Sequence, residues 1–546
     1  MNSFRFTPSH LVSSEGPGQT GKGSPDRAVL RDWIDQAAAS HGDDVYLADA
    51  RGTATLTYAE LSETARDTEL RLEKAGLMPG SRIGVRLTDP LEYAAALVAI
   101  VAAGRVAVPL DPGAPEADLA RVLAVARPDA TVTVDAGSVD TGRPGGQAPR
   151  SVTGEAKRSF GPVLFDFDLE GRALGGPGAP PAAAVGGIFL STSGTTGTPK
   201  GILLREEQLM HVAASVVAAH RLTRADRGYC SLPLFHVNAE VVGVLATLRA
   251  GAYLALDRKF SRRGFWEIIG DREITWINAV PAIISILSMD PPAARPAALR
   301  FVRSASAPLP LASLRKFEDA VGVPVVETYG MTEAASMITA NPVDGPRKPG
   351  SAGRPAGSQV RVEAADDPVS GGPVSGGPVS DGRDAAPGEI GRVKIRGAGV
   401  ITAYDSGGKP GVIDADGWLD TGDLGYLDTD GYLFLVGRSD DVINRGGEKI
   451  YPRDIEEILL AQPGVRSAAI IGIPDAVLGE RPVAYITPAD GAPGTEVLAA
   501  ALRAVCAERL PRYKQPAEFR FMDQLPLGPT GKISRRLLKD QVTARP

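Results

Sequence analysis

The clearest chemical signal in the chain is residues 190–201, which read Leu-Ser-Thr-Ser-Gly-Thr-Thr-Gly-Thr-Pro-Lys-Gly. Glycines allow backbone N–H groups to turn towards an anion, hydroxyl groups donate further hydrogen bonds, and Lys200 adds a positive charge. The segment predicts a loop that wraps a polyphosphate, although no Gly-Lys-Ser/Thr opens a helix as in a Walker motif. A flexible linker has a similar composition, but the apolar strand predicted at residues 187–190 leads directly into this segment and favours the phosphate loop.

A second polar stretch, residues 327–333, follows an apolar strand predicted at residues 324–326. Tyr329 offers an aromatic face for a nucleobase, Thr332 offers a hydroxyl group for a phosphate, and Glu333 offers a carboxylate that can ligate Mg²⁺. The same residues also suit an ordinary helix N-terminus, with a threonine cap and an acidic partner for the helix dipole. Taken alone, this stretch does not distinguish the two interpretations.

Three later segments contain single candidate groups. The carboxylate of Asp423 can accept hydrogen bonds from both ribose hydroxyl groups, and Arg438 can meet ribose or phosphate. Gly446 and Gly447 suit the close passage of a ligand tail along the backbone, and Lys532 lies in a glycine-bearing turn near the chain end. Each feature also has an ordinary structural explanation: an Asp-Gly turn, a surface ion pair, a hairpin turn or a solvated surface lysine.

The bulk properties fit a large globular protein with more than one domain. At 546 residues the chain is too long for a single core, and its 43% apolar and 23% charged residues are ordinary for a globular protein. A net charge of −6 gives no basic surface for nucleic acid or anionic lipid. The two cysteines are far apart, and neither a signal peptide nor a membrane-spanning apolar run is evident, so we expect a cytoplasmic protein without a disulfide framework.

Helix and strand patterns alternate between residues 30 and 110, which is the rhythm of a parallel β-sheet covered on both faces. After residue 437 the pattern changes to that of a compact α+β unit. A short unit repeated three times within residues 367–388 indicates an exposed insertion in a hairpin. The predicted units are a disordered tail at 1–25, a large N-terminal domain at 26–437, a hinge at 438–441 and a small C-terminal domain at 442–546.

Taken in order, these segments resemble the motifs of the adenylate-forming superfamily, which includes acyl-CoA synthetases, luciferases and peptide-synthetase adenylation domains. The resemblance covers residues 27–538, and the matching segments are 193–201, 329–333, 421–423, 437–438, 446–449 and 531–532. It implies an α/β fold in which a large N-terminal domain of several subdomains has parallel-rich sheets and a small α+β C-terminal domain is mobile. The implied activity is that of a free-standing ATP-dependent acyl-CoA ligase.

In the first half-reaction that this resemblance implies, a carboxylate attacks the α-phosphate of ATP and gives acyl-AMP and pyrophosphate. Because two anions must meet, cations and dipoles have to neutralise the developing charge. By resemblance Glu333 holds Mg²⁺, Thr332 bonds the α-phosphate, and Lys532 bridges the acid and the α-phosphate. His236 lies where amino-acid-activating relatives have an aspartate. The resemblance adds it to the catalytic residues, as a gate at the acyl pocket. The implied nucleotide-binding residues are Thr192, Ser193, Gly194, Thr195, Thr196, Gly197, Lys200, Ser306, Ala307, Pro308, Glu327, Thr328, Tyr329, Gly330, Met331, Asp423, Arg438 and Asn444.

The second implied half-reaction transfers the acyl group to coenzyme A. Relatives rotate the C-terminal domain about a hinge residue, here Asp440, which withdraws the lysine and opens a path for the thiol. The residues implied to line that path are Gly446, Gly447, Glu448 and Lys449. The implied cofactors are ATP, Mg²⁺ and coenzyme A. The expected partners are a small carboxylic acid or its acyl-adenylate, without nucleic acid or membrane, and the chain is expected to be a monomer or a homodimer.

The acyl pocket implied by the resemblance has mostly small and apolar walls, namely Val237, Asn238, Val241, Val242, Asn278, Ala279, Val280, Ser304 and Met337. Such walls favour a bulky hydrophobic acid (alicyclic, terpenoid, aryl or fatty), of the kind found in secondary metabolism, over acetate. Residues 303–307 and 347–350 resemble oxalate-CoA ligases, which leaves a small diacid as an alternative. Two further alternatives are an enzyme of only one half-reaction and a catalytically silent nucleotide or acyl-adenylate binder.

Overall fold

The computed structural model describes residues 29–134, 161, 163–168, 186–193, 199–364, 382–408, 410–489, 491–492, 494–528 and 533–543. The described residues form four β-sheets, three of them before residue 439 and one after residue 442. This arrangement confirms the predicted α/β class, with a large N-terminal domain built on parallel-rich sheets and a small C-terminal domain. The exact domain and hinge boundaries stay predictions. Within the described ranges, no helix is long and apolar enough to cross a membrane.

The largest sheet contains most of the candidate site. Numbered in chain order, its strands are β1 (Val45–Asp49), β2 (Thr55–Thr57), β9 (Arg227–Cys230), β10 (Tyr253–Leu256), β11 (Trp276–Ala279), β12 (Phe301–Ser304), β13 (Val325–Met331), β14 (Ser336–Ala340) and β15 (Arg354–Pro355). Their order is β15-β14-β13-β12-β11-β9-β10-β1-β2. The strands from β13 to β1 are parallel, and antiparallel strands close both edges. Because both faces are covered, the central strands are almost entirely buried.

The second sheet has at one edge the two strands that precede and follow the predicted phosphate loop in the chain. Its strands are β3 (Arg82–Val85), β4 (Val106–Pro109), β5 (Ala130–Val134), β6 (Phe165–Asp168), β7 (Gly187–Ser193) and β8 (Pro199–Arg205). They lie in the order β6-β5-β3-β4-β7-β8, and β7 pairs antiparallel with β8. The strand predicted at residues 187–190 is confirmed, and it extends to Ser193. Residues 194–198, between the two strands, lie outside the described residues.

Helices cover the two sheets. They are α1 (Val29–His41), α2 (Tyr58–Lys74), α3 (Pro90–Ala102), α4 (Glu116–Ala126), α5 (Glu206–His220), α6 (Ala246–Ala250), α7 (Phe265–Asp271), α8 (Pro281–Leu287) and α9 (Leu311–Val321). A capping box defines the start of α2, because Thr57 and Glu60 each accept the other's backbone N–H. A π-helix, Asn238–Leu245, runs directly into α6 and is buried along its whole length. Such π-helical segments are rare and often occur at functional sites.

The remaining sheets form the outer part of the N-terminal region and the C-terminal domain. The antiparallel sheet consists of β16 (Gln359–Glu363), β17 (Gly391–Arg396), β18 (Leu419–Leu427) and β19 (Leu433–Arg438). Strands β16 and β17 pair antiparallel, which confirms the predicted hairpin, while residues 367–381 of the repeated segment lie outside the described residues, so its exposure stays a prediction. The C-terminal elements are β20 (Ile443–Arg445), β21 (Glu448–Ile450), α10 (Pro452–Leu460), β22 (Val465–Asp475), β23 (Gly479–Pro488), α11 (Thr495–Arg509), β24 (Glu518–Phe521) and α12 (Arg535–Thr543).

Glu240 is a buried acid inside the π-helix, and neither of its carboxylate oxygens has a hydrogen-bond partner among the described residues. Burial raises the pKa of Glu240 well above its usual value, so this carboxyl is neutral in the folded protein. An unpaired buried polar group lowers stability.

Replacing Glu240 with methionine, which is similar in volume, is expected to raise the free energy of unfolding by about 1–3 kcal/mol, because no unpaired carboxyl remains buried. The gain should grow as the pH rises above about 4.3, since the unfolded wild type then releases a proton that the folded protein retains. Urea denaturation at several pH values measures both effects. A loss of stability in the variant would show that this carboxyl has a favourable partner.

Candidate active site

The β7–β8 hairpin brings the first predicted phosphate-binding residues together. Its register places the backbone of Thr192 opposite that of Lys200. The Lys200 ammonium nitrogen lies 4.8 Å from the centre of the Tyr404 ring, and the Tyr404 hydroxyl donates a hydrogen bond of 3.0 Å to Oε1 of Glu333. One tyrosine therefore links the predicted phosphate lysine to the predicted magnesium ligand. Sequence reasoning assigns no role to Tyr404, which is 71 residues from Glu333 and belongs to none of the polar motifs.

Glu333 lies on a single 3-10 turn, Thr332–Ala334, directly after β13, and it is buried. The described residues contain no group of three or more side chains that could hold a metal ion by themselves. A single carboxylate beside the predicted phosphate-binding hairpin nevertheless fits Mg²⁺, which is commonly bound by one or two carboxylates together with nucleotide phosphates and water. Glu333 is the described residue that would hold the ion.

The predicted ribose and adenine residues meet at one point. The Tyr329 hydroxyl donates to Oδ2 of Asp423 at 2.5 Å, and Nη1 of Arg438 lies 3.3 Å from Oδ1 of the same carboxylate. The antiparallel pairing of β18 with β19 places Asp423 opposite Arg438 and fixes this geometry. Burial and the nearby charge of Asp423 raise the pKa of Tyr329 well above its usual value, so its hydroxyl remains a donor. Their assignment to nucleotide binding stays a prediction.

The backbone of the Tyr329 segment differs from the prediction. Strand β13 does not end at residue 326 but continues to Met331, and no α-helix begins at Thr332. The strand passes so close to β14 that a Cβ on Gly330 would lie 1.4 Å from the carbonyl oxygen of Ser336, so only glycine fits there. The alternative of a capped α-helix N-terminus is therefore wrong.

Replacing Tyr329 with phenylalanine is expected to raise the KM for ATP about 10- to 150-fold, because a hydrogen bond to a charged group contributes roughly 1.5–3 kcal/mol to holding Asp423 in place. Steady-state kinetics with varied ATP measures this change. Tyr432→Phe is the matched control, since its hydroxyl donates to the backbone carbonyl of Pro346 instead. An equal rise in KM in both variants would contradict the role given to Tyr329.

Glu327 lies on the same strand but has different neighbours. Its Oε1 accepts the backbone N–H of Gly350 at 3.0 Å, and burial raises its pKa to about 7. Charges from α10 also act on it, Arg453 lowering the pKa and Glu457 raising it. The backbone N–H of Leu311 donates to Glu457 at 3.3 Å, so this part of the N-terminal domain contacts the C-terminal domain. Nucleotide binding by Glu327 stays a prediction.

A buried polar cluster lies on the predicted acyl side of the site. Oδ1 of Asn238, at the start of the π-helix, accepts a hydrogen bond from Arg303 at 2.8 Å, and Oδ1 of Asn278 on β11 accepts one at 3.0 Å. Nδ2 of Asn238 donates to Oγ of Ser306 at 3.2 Å. The structure thus groups three predicted residues around Arg303, which was not predicted as a site residue. Its visible signal in the sequence is a single charged residue within the short strand Phe301–Ser304.

The other predicted pocket residues lie in the same layer. His236 is half-buried with its ring centre 4.7 Å from that of Phe235, and its carbonyl accepts the first N–H groups of the π-helix turn. Buried residues are Val241, Val242, Ala279, Ser304 and Met337, whereas Val237 and Val280 are partly buried. The gating role of His236 stays a prediction.

The residues predicted for the second half-reaction lie in the C-terminal domain or at its entrance. Gly446 and Gly447, both with positive φ, form the tip of the β20–β21 hairpin, in which Asn444 is opposite Lys449 and Glu448 begins β21. Asp440 lies in the 3-10 turn Ser439–Asp441. Lys532 and the loop residues Gly194, Thr195, Thr196 and Gly197 lie outside the described residues.

Comparison with known proteins finds similar sequences for both the N-terminal and the C-terminal domain. A family model described as AMP-binding enzyme matches residues 34–405, and one described as AMP-binding enzyme C-terminal domain matches residues 454–532. The chain is 37% identical over 510 residues to the sulfoacetate–CoA ligase of Cupriavidus necator, covering 91% of this chain and 95% of that protein. It is 32% identical over 507 residues to the oxalate–CoA ligase of Arabidopsis thaliana, with the same coverage of 91% and 95%. The o-succinylbenzoate coenzyme A synthetase of Bacillus subtilis, solved with ATP and magnesium ion, superposes with a TM-score of 0.73 at 27% identity, covering 93% of this chain and 99% of that one.

Proposed function

The chain belongs to the AMP-binding enzyme family and is an ATP-dependent acyl-CoA ligase, and from this premise we propose that one active site performs both half-reactions. A carboxylic acid first reacts with ATP to give an acyl-adenylate and pyrophosphate, and the acyl group then passes to coenzyme A. ATP, Mg²⁺ and coenzyme A are its cofactors, and its partners are small molecules. The predictions of a monomer or homodimer and of a cytoplasmic location stay predictions.

The observation that supports this proposal most directly is the Lys200–Tyr404–Glu333 contact beside the phosphate-loop hairpin. The cation can neutralise charge on the departing pyrophosphate. Mg²⁺, when bound by Glu333, supplies further positive charge at the phosphates. Tyr404 contacts the cation with its ring and the carboxylate with its hydroxyl, so it fixes the distance between them. A charge is thereby held in place before ATP arrives.

The Tyr329–Asp423–Arg438 cluster supports the orientation of the nucleotide. A carboxylate has about four lone-pair positions, so Asp423 can accept ribose hydroxyl groups while it retains Tyr329 and Arg438. Tyr329 remains protonated and donates, and Arg438 also donates to the Thr421 carbonyl at 3.1 Å. Such fixed orientation lowers the barrier for attack on the α-phosphate.

The test separates the two half-reactions. Pyrophosphate release is measured with ATP, Mg²⁺ and a panel of carboxylic acids, and acyl-CoA is measured by mass spectrometry after addition of coenzyme A. A second arm supplies synthetic acyl-adenylate with coenzyme A. We expect product in both arms. Product only from the supplied adenylate would support the one-half-reaction alternative, and nucleotide binding without any turnover would support the silent binder.

A further inference from the structure

Arg303 is a buried cation that has no carboxylate partner among the described residues. It is 1% exposed, its Nη1 donates only to the amide oxygens of Asn238 and Asn278, and its Nε has no hydrogen-bond partner in the described part of the chain. Burial lowers the pKa of Arg303 to about 9, and the only charge effect that opposes this comes from Cys230. Within the described ranges, the fold therefore holds a positive charge in its interior without supplying a carboxylate to pair with it.

Two other arginines of the N-terminal domain are paired differently. Arg300, just before β12, has Nη1 2.5 Å from Oδ1 of the buried Asp226. Arg105, also buried, donates to the backbone carbonyls of Leu77 and Ala103, and the charges of Glu69 and Glu73 favour its ionised form. A buried charge without a partner strongly lowers stability. The buried guanidinium of Arg303 is accounted for if an anionic group of a ligand binds beside it.

The position of Arg303 connects this charge to the reacting centre. The side chain of Asn238 accepts from Arg303 with its oxygen and donates to Ser306 with its nitrogen. Ser306, which has a left-handed φ of 71°, begins the predicted nucleotide-binding segment 306–308. Strand β13 also contacts this part of β12, because the Thr328 hydroxyl donates to the Ser304 carbonyl at 3.0 Å. A single amide group therefore separates the buried cation from the nucleotide segment.

We propose that Arg303, positioned by Asn238 and Asn278, binds a second anionic group, a carboxylate or a sulfonate, on a short acid substrate. The inference rests on the proposed function and specifies the class of its acid substrate. One carboxylate of the acid reacts with ATP, and the second anionic group binds the Arg303 guanidinium. The acid is short because one amide side chain spans the distance to the nucleotide segment. A bulky hydrophobic acid, which the apolar walls favour, would leave the cation facing hydrocarbon without a partner.

The first test compares acids that differ only in the second charge. Sulfoacetate is paired with its uncharged analogue methylsulfonylacetate, and malonate with malonamate, while hexanoate and benzoate represent the hydrophobic class. In at least one of the two pairs, we expect kcat/KM for pyrophosphate release to be at least about 10²-fold higher for the acid with the second charge than for its analogue without it. The analogue cannot form the desolvated ion pair with Arg303. Equal values within both pairs, or a preference for hexanoate or benzoate, would overturn the proposal.

Two variants test the assigned residues. Arg303→Met should abolish the preference by lowering kcat/KM for the anionic acid about 10²-fold, because the ion pair is lost. Asn278→Asp places a carboxylate about where an amide oxygen now accepts from Arg303, so it should raise the thermal midpoint and also lower use of the anionic acid. In both variants the KM for ATP should change much less than kcat/KM for the anionic acid. Arg354→Met, on edge strand β15 three strands away from β12, is the control and should retain the preference.

Binding separates failure of this inference from failure of the proposed function. Sulfoacetate and malonate are added to the whole protein without coenzyme A, and the thermal midpoint is recorded. If either acid stabilises the wild type but not Arg303→Met, the result supports the anion site. If, in addition, no acid is turned over, the anion site is still supported and only the proposed function is contradicted. Retained preference or retained stabilisation in Arg303→Met overturns the anion site and leaves the ligase activity standing.

Discussion

Replacing Lys532 with alanine is expected to slow acyl-adenylate formation about 10²–10³-fold, because a positioned cation that meets charge in the transition state contributes on this scale. Thioester formation from a synthetic acyl-adenylate should change less than about twofold, since the lysine is predicted to act on the α-phosphate in the first step only and to be withdrawn in the second. The two rates are measured as ATP–pyrophosphate exchange and as acyl-CoA formation from the supplied adenylate.

Lys539→Ala is the matched control for this prediction. Lys539 lies on α12 of the same C-terminal domain, seven residues further along the chain, so its loss removes an equal charge from the same region. Both rates should remain at the wild-type level in the control. If Lys532→Ala slowed both half-reactions to the same extent, the lysine would have a general structural role, and the division of labour between the half-reactions would be wrong.

Local composition predicted the backbone correctly where one short apolar stretch forms a strand, as at residues 187–190, while phosphate binding by the segment that follows stays a prediction. The hydroxyl- and glycine-rich segment predicted a loop after a buried strand, and the structure has a hairpin whose β7 and β8 flank that segment. The Tyr329 segment was recognised, but its strand was predicted to end too early. The continuation to Met331 depends on antiparallel pairing with β14, a neighbour that the local pattern does not specify.

Groups that meet only through the fold were not predictable in the same way. Arg303 is 65 residues from Asn238 and 25 from Asn278, and the three side chains meet because β12 lies beside β11 under the π-helix. A single arginine in an apolar strand is visible in the sequence, but its lack of a carboxylate partner is not. Tyr404 was missed for the same reason, since its two contacts lie on separate segments.

This difference changes what the pocket indicates about the substrate. If each predicted wall residue is weighed equally, four valines, one alanine and one methionine favour a hydrophobic acid. In the folded protein one buried charge outweighs several apolar contacts, because leaving an ion pair unformed costs about 3–5 kcal/mol and a buried methylene contributes about 0.8 kcal/mol. The pairing state of Arg303 is therefore more informative about the acid than the average polarity of the walls.

Replacing Glu333 with glutamine is expected to lower kcat/KM for MgATP about 10²–10³-fold, because the variant loses the described carboxylate that would hold the ion beside the phosphates. The amide oxygen can still accept the Tyr404 hydroxyl, so the fold around the 3-10 turn should be retained. Raising the Mg²⁺ concentration should recover part of the activity, since weaker binding is offset by mass action. Pyrophosphate release is measured against Mg²⁺ at fixed ATP.

Tyr404→Phe distinguishes the charge of Glu333 from its position. This variant keeps the carboxylate and the ring that faces Lys200 but removes the hydrogen bond of 3.0 Å. Its activity should fall about tenfold, because this part-buried hydrogen bond to a charged group is expected to contribute about 1.5 kcal/mol, the lower end of the range for such bonds. The concentration of Mg²⁺ that gives half-maximal activity should move much less than in Glu333→Gln. If both variants required the same increase in Mg²⁺, then Glu333 would act through Tyr404 and Lys200, and the ion would be held elsewhere.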